Sequence, residues 1–199
     1  MFDTNVFGLF DVVQAFAPLL ITAAAATATE TATPAPTIVN VASVLARLPM
    51  PFSSGYNATK AAVSAYSDTL RLELSPVGIR VMTLFMGEVS TPLMSSDNIR
   101  FGDNSIYAAV EHKVKERSEE HAAKTMKPGP FAVQVVDQVL GTRSTSYIWK
   151  GTNAFLVWLL NAVGPRKVFD SSLKKAAGLG DAGLVGEICR RAQQGSKSL

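Results

Sequence analysis

Residues 37–60 read TIVNVASVLARLPMPFSSGYNATK, and the change of pattern inside that stretch decides the fold. Thr37 to Ser43 is a short β-branched run of the kind that forms a buried parallel strand. Arg47 to Gly55 contains Pro49, Pro51 and the Ser53-Ser54-Gly55 turn, so it reads as a loop. From Tyr56 the period becomes helical: Thr59, Val63, Tyr66, Leu70 and Leu74 recur at steps of three or four. Pro76-Val77-Gly78 ends that helix after about five turns. A second apolar run, Ile79 to Met86 (IRVMTLFM), reads as the next buried strand. Strand, helix and strand in this order make a parallel crossover unit, and hence an α/β domain.

Upstream, Phe2, Val6, Leu9, Val13, Phe16 and Leu20 place one apolar stripe on a helix, with Asp3 and Thr4 as expected caps. Residues 22–37 are almost entirely alanine, threonine and proline, and their alternation and two prolines predict an irregular linker. Downstream, Gly87 to Ser96 reads as a loop, Tyr107 to Met126 as a helix with a solvated face, and Phe131 to Leu140 as an amphipathic helix. Tyr147 to Trp149 is expected to add a third strand, and residues 152–199 short helices or a tail. Residues 1–199 are thus expected to form a single domain.

The composition narrows the function. A formal net charge of +3, from 19 Lys and Arg against 16 Asp and Glu without basic runs, does not indicate a nucleic-acid groove. One cysteine, Cys189, allows no internal disulfide, and with only His112 and His121 beside it no metal-ligand spacing can be assembled. A reducing, cytoplasmic setting is expected. The start has no basic segment before its apolar residues, and the apolar run Ala154 to Val163 is shorter than the ~20 residues that span a bilayer. A soluble or peripheral protein is therefore expected.

Tyr56-Asn57-Ala58-Thr59-Lys60 carries the candidate chemistry. Four residues is about one helical turn, so the phenol and the ammonium share one face near the helix start. A neighbouring cation and the positive end of a helix both favour phenolate, which suits a general acid/base. Thirteen residues upstream, Ser43 stands at the carboxyl end of the first strand, where ligands of open parallel sheets sit. A serine hydroxyl beside a tyrosine acid fits carbonyl reduction, in which oxygen gathers charge.

The set Ser43, Tyr56 and Lys60, preceded by Asn5 in NVFG and followed by Gly87-Glu88-Val89-Ser90-Thr91, resembles the short-chain dehydrogenase/reductase family. The resemblance runs from about Phe2 to Leu93. More weakly, PFAVQVVDQVL and YIWKGTNAFLVWLL resemble the fungal branch with acyl-dihydroxyacetone-phosphate reductases and secondary-metabolite reductases. The resemblance implies a Rossmann-type, doubly wound parallel sheet, NADP(H) in preference to NAD(H), and a lipid-like or polyketide-like carbonyl or alcohol substrate. It implies that Tyr56 exchanges the proton, Ser43 holds the substrate oxygen, and Lys60 binds the nicotinamide ribose and lowers the Tyr56 pKa. Asn5 would support a water in the proton relay, and Val89 and Thr91 would lie against the carboxamide.

Two departures qualify that implication. The family's first strand and glycine-rich TGxxxGxG turn, whose helix N-terminus receives the pyrophosphate, do not occur in these residues, and the fold is expected to be partial. The proline that usually precedes Gly87 is Met86, which removes a fixed φ from the cofactor-facing loop. A non-catalytic remnant serving as a binding or regulatory module is the competing expectation. Peripheral contact with endoplasmic-reticulum or lipid-droplet membrane through the run from Phe155 to Leu160 can accompany either, although buried core, a homo-oligomer interface or a substrate-cavity wall is the commoner role of such a run.

Overall fold

The computed structural model describes residues 1–27, 35–141 and 145–195, apart from the side chain of Met94. Three strands, β1 (Thr37–Val41), β2 (Arg80–Met86) and β3 (Tyr147–Lys150), form one parallel sheet in the order β1-β2-β3. Helix α1 (Gly8–Thr27) precedes β1, and α2 (Ser54–Leu74) makes the crossover to β2. Helices α3 (Glu111–Lys124) and α4 (Pro128–Leu140) make the crossover to β3, and α5 (Ala154–Val163), α6 (Asp170–Ala176) and α7 (Ala182–Gly195) follow.

Both faces of β2 are covered, which is why its sequence is apolar apart from Arg80 at its start and the buried Thr83. Its odd-numbered residues face α1 and α2: Val81 packs with Val13, Leu70 and Ile79, and Phe85 with Val63 and Ala42. Its even-numbered residues face α4: Met82 and Leu84 pack with Ile148, Phe131 and Val135. Helices on opposite faces of a parallel sheet are the doubly wound, Rossmann-type arrangement expected from the sequence. Polar ties fix α2 against the sheet. Asn40 Nδ2 of β1 donates to Ser67 Oγ at 2.9 Å, and the Tyr147 hydroxyl of β3 donates to Asp68 Oδ1 at 2.9 Å.

The N-terminal segment departs from expectation in three respects. It opens with a π-helical turn, Asp3–Phe7, and no side chain caps it, so Asp3 and Thr4 are not caps. Helix α1 then continues through Thr27, which corrects the linker over residues 22–37. Alanine has the highest helix propensity, and the run Ala23 to Ala26 carries the helix past the threonine. Residues 28–34 of that linker lie outside the described residues. The continuous helical segment Asp3–Thr27, rather than Ala154 to Val163, is long and apolar enough to cross a membrane by length and composition alone. Helix α1 packs on the sheet through Leu9, Val13, Leu20 and Ala24.

Candidate active site

Chain direction places the candidate groups at one end of the sheet. Strand β1 ends at Val41, and Ser43 caps the short 3-10 turn Val44–Ala46 by accepting a hydrogen bond from Leu45 N at 3.2 Å. The Ser43 hydroxyl is 5% exposed and also reaches Met86 O, the end of β2, at 3.4 Å. A loop with two prolines then returns the chain to the N-terminus of α2. Its last turn before the helix places Phe52 at φ 64°, a left-handed conformation uncommon for a bulky residue. Phe52 packs there against Phe101 and Tyr107, with ring centroids 4.8 and 5.2 Å away.

Ser43 and Tyr56 converge, with the serine side chain close enough to act on the phenol. Burial pushes the Tyr56 phenol above its ordinary value, and the neighbouring Ser43 hydroxyl opposes that rise. This direction differs from the depression implied by the resemblance. Lys60 Nζ donates to Val41 O at 2.9 Å and lies 5.7 Å from the centre of the Tyr56 ring, so its charge is held by the strand-end carbonyl and burial of the phenol dominates. Burial lowers the Lys60 ammonium in turn.

Asn5 joins the same cluster from the π-helical turn. Its Nδ2 donates to Thr59 Oγ1 at 3.1 Å, and the Thr59 hydroxyl donates to Tyr56 O at 2.8 Å. Thr59 is fully buried. Sequence reading missed this residue and the strand-end carbonyls of Val41 and Met86. Thr59 was legible in principle, since it stands three residues after Tyr56 on the face turned to the sheet; the carbonyls belong to the backbone and leave no mark in composition.

Val89 and Thr91 stand apart from the proton-transfer groups, on the loop leaving β2. Val89 is buried and pairs with Met126, and Thr91 precedes the 3-10 turn Pro92–Met94 without a side-chain cap bond. The loop is tightly anchored despite lacking the family's proline. Gly87 N donates to Lys150 O at 2.7 Å, and Glu88 and Thr152 exchange backbone hydrogen bonds at 3.0 and 3.1 Å. A Cβ on Gly87 would collide with Thr152 O and lie 3.1 Å from Ala154 Cβ. Glu88, also unforeseen, accepts from Asn153 Nδ2 at 3.2 Å and lies 3.3 Å from His121 Nδ1.

Two cavities border the cluster. One of about 560 Å³ runs along the free edge of β1 against α1, and Asn5 and Lys60 line it. The other, about 760 Å³, lies between α2 and α5, with Leu45, Asn57, Leu160, Arg166 and Phe169 among its walls. It adjoins Leu45, two residues after Ser43, and Ser54 and Asn57 on either side of Tyr56, without the Ser43 or Tyr56 side chain lining it.

A nicotinamide end fits this donor set in part: Lys60 carries an ammonium into the open groove beside β1, one turn from the phenol. The pyrophosphate end finds no glycine-rich turn in the 199 residues.

Comparison with known proteins agrees with this fold. The family model described as short chain dehydrogenase matches residues 1–100. The short-chain dehydrogenase fogD of Aspergillus ruber is 31% identical over 181 residues, covering 90% of this chain and 59% of its own. The short-chain dehydrogenase ptmH of Penicillium ochrochloron is 33% identical, with coverages of 90% and 62%. The chain thus spans about three fifths of the length of these curated relatives. Among solved structures, a short-chain dehydrogenase from Streptomyces avermitilis aligns with a TM-score of 0.62 at 18% identity, over 89% of this chain and 61% of the other. One from Burkholderia cenocepacia, in complex with NADP, aligns with a TM-score of 0.52 at 22% identity, over 85% and 55%. Fold, motif spacing and these similarities together identify the chain as a member of the short-chain dehydrogenase family.

Proposed function

We propose that the chain supplies the catalytic groups of an NADP(H)-dependent oxidoreductase that interconverts a carbonyl and an alcohol. The observation that carries this reading is the convergence of Ser43, beyond the end of β1, with Tyr56 in the first turn of α2, and with Lys60 one helical turn away, donating to Val41 O and 5.7 Å from the phenol ring centre. Tyr56 gives its proton to the substrate oxygen during reduction and takes it back during oxidation. A phenol kept protonated by burial is ready to act as the acid. Ser43 donates a hydrogen bond to the oxygen as charge gathers there. Lys60, at the mouth of the β1 groove, would hold the ribose, while Val89 and Thr91 would bound the carboxamide. When bound, the nicotinamide supplies or accepts the hydride. Preference for NADP(H) draws support from the Burkholderia cenocepacia protein, whose structure contains NADP.

A lipid-like or polyketide-like substrate is favoured by the apolar walls of the 760 Å³ cavity, including Leu45, Leu160 and Phe169. A cytoplasmic, reducing setting suits the single exposed thiol, Cys189. The second reading is a non-catalytic binding module. Calorimetric titration with NADPH and NADH separates the two. Because only nicotinamide-end groups are present, the 199 residues alone should bind either dinucleotide weakly. Joined to the two fifths of the Aspergillus ruber relative that this chain does not match, they should bind NADPH more tightly than NADH and reduce apolar ketones. Tight NADPH binding without turnover in the joined protein would favour the module.

A further inference from the structure

Helix α5 exposes apolar side chains around one whole side. At 3.6 residues per turn, Phe155, Leu156, Trp158, Leu159, Ala162 and Val163 fall within one arc of about 160°. All six are exposed, Phe155 and Val163 by 67% and 76%. Ala154 and Val157 hold the opposite side in the core against Val44 and Trp149. Phe155 and Trp158 pack together with centroids 5.4 Å apart, presenting an aromatic pair at the surface. Arg166 and Lys167, both exposed, follow the helix directly, and no Asp or Glu occurs between Tyr147 and Phe169.

Other apolar faces lack that charge. Helix α1 exposes Phe16 and Leu19, yet Asp3 and Asp11 accompany it and no Lys or Arg precedes Arg47. Helix α4 exposes Val133, Val136 and Leu140 with Asp137 among them. An apolar helix face bearing tryptophan and bordered by cations matches the interface of an anionic bilayer, where apolar burial and attraction to lipid headgroups act together. From this conjunction we infer that α5 docks the protein on membranes containing anionic lipid, lying in the interface with Arg166 and Lys167 against the headgroups. The contact is independent of the reductase reading.

The test is flotation of the full 199-residue chain with vesicles of phosphatidylcholine alone and of two parts phosphatidylcholine to one part phosphatidylserine. Binding is expected on the phosphatidylserine vesicles and should fall in high salt. Phe155→Glu with Leu159→Glu should abolish it. Arg166→Glu with Lys167→Glu, changes confined to an exposed turn, should weaken it at least about tenfold. Phe16→Glu with Leu19→Glu on α1 should leave it unchanged. The inference is overturned if the chain does not float, if neutral vesicles bind it equally, or if the Arg166/Lys167 reversal has no effect. It is also overturned if sedimentation shows a dimer in vesicle-free solution that the Phe155/Leu159 variant dissolves, since a second copy would then own the face.

Discussion

Asn5 Nδ2 donates to Thr59 Oγ1 at 3.1 Å, a bond across 54 positions that ties the entry to α1 to the turn of α2 carrying Tyr56 and Lys60. Because Thr59 is fully buried and donates its own hydroxyl hydrogen bond to Tyr56 O, the pair sets where the phenol stands. Asn5→Ala should cost about 1 kcal/mol, within the usual range for an intramolecular hydrogen bond. Urea unfolding of Asn5→Ala, Thr59→Val and the double variant should show coupling rather than additivity. Additive effects would mean that the bond does not persist in solution.

Gly87 lies where β2 meets the cofactor-facing loop, against the backbone of Thr152 and Gly151. Gly87→Ala should therefore destabilise by about 1–3 kcal/mol, the range for overpacking a filled site. Thermal unfolding followed by circular dichroism checks this, with Gly129→Ala as control because its Cβ would meet no atom within 4 Å.

Helix α2 was legible to within two residues of its start, because its apolar period and its proline stop are both local signals. Strands β1 and β2 were legible from their apolar runs to within two residues: β1 ends at Val41 rather than Ser43, which turns out to cap the following 3-10 turn, and β2 starts at Arg80 rather than Ile79. Other features depend on partners distant in sequence. The extension of α1 through Thr27 was hidden by threonines and prolines that resemble a linker, and the π-helical turn at Asp3–Phe7 has no compositional mark. Helix α4 begins at Pro128, three residues before the expected start, since proline is well suited to a first turn. Asn5 entered only through the family resemblance, whereas the convergence of Ser43, Tyr56 and Lys60 was legible from their spacing. The upward direction of the Tyr56 pKa was not, because it follows from burial and from the Val41 carbonyl that engages Lys60.

That upward direction gives a pH signature. A phenol whose folded pKa exceeds its unfolded value of about 10 binds its proton more tightly in the folded state. Its stabilising contribution is full below the unfolded value and is lost as pH rises through the folded one. Lys60 acts oppositely: its folded pKa is lowered, so its contribution is present above the unfolded value and is lost as pH falls through the folded one. Tyr56→Phe should therefore lose less stability than the parent between mildly and strongly alkaline pH in urea titrations. Identical slopes would show that Tyr56 is not buried as described.

Phe85 stacks on Trp149 with centroids 4.2 Å apart and planes 12° from parallel, beneath the Arg47 guanidinium. At 1% exposure it anchors the face of the sheet that carries α2. Phe85→Ala should cost about 3–5 kcal/mol, while Phe85→Leu should cost less. Equal, small effects on denaturation would place the ring at the surface.

The most direct measurement compares NADPH-dependent ketone reduction by the joined protein described above with that of its Tyr56→Phe form, after calorimetry has shown equal NADPH affinity. Removing the hydroxyl while keeping the ring should lower turnover by about 10²–10⁴-fold, the usual contribution of a general acid. Turnover in Tyr56→Phe equal to the parent's would contradict the assignment of Tyr56 as the proton donor.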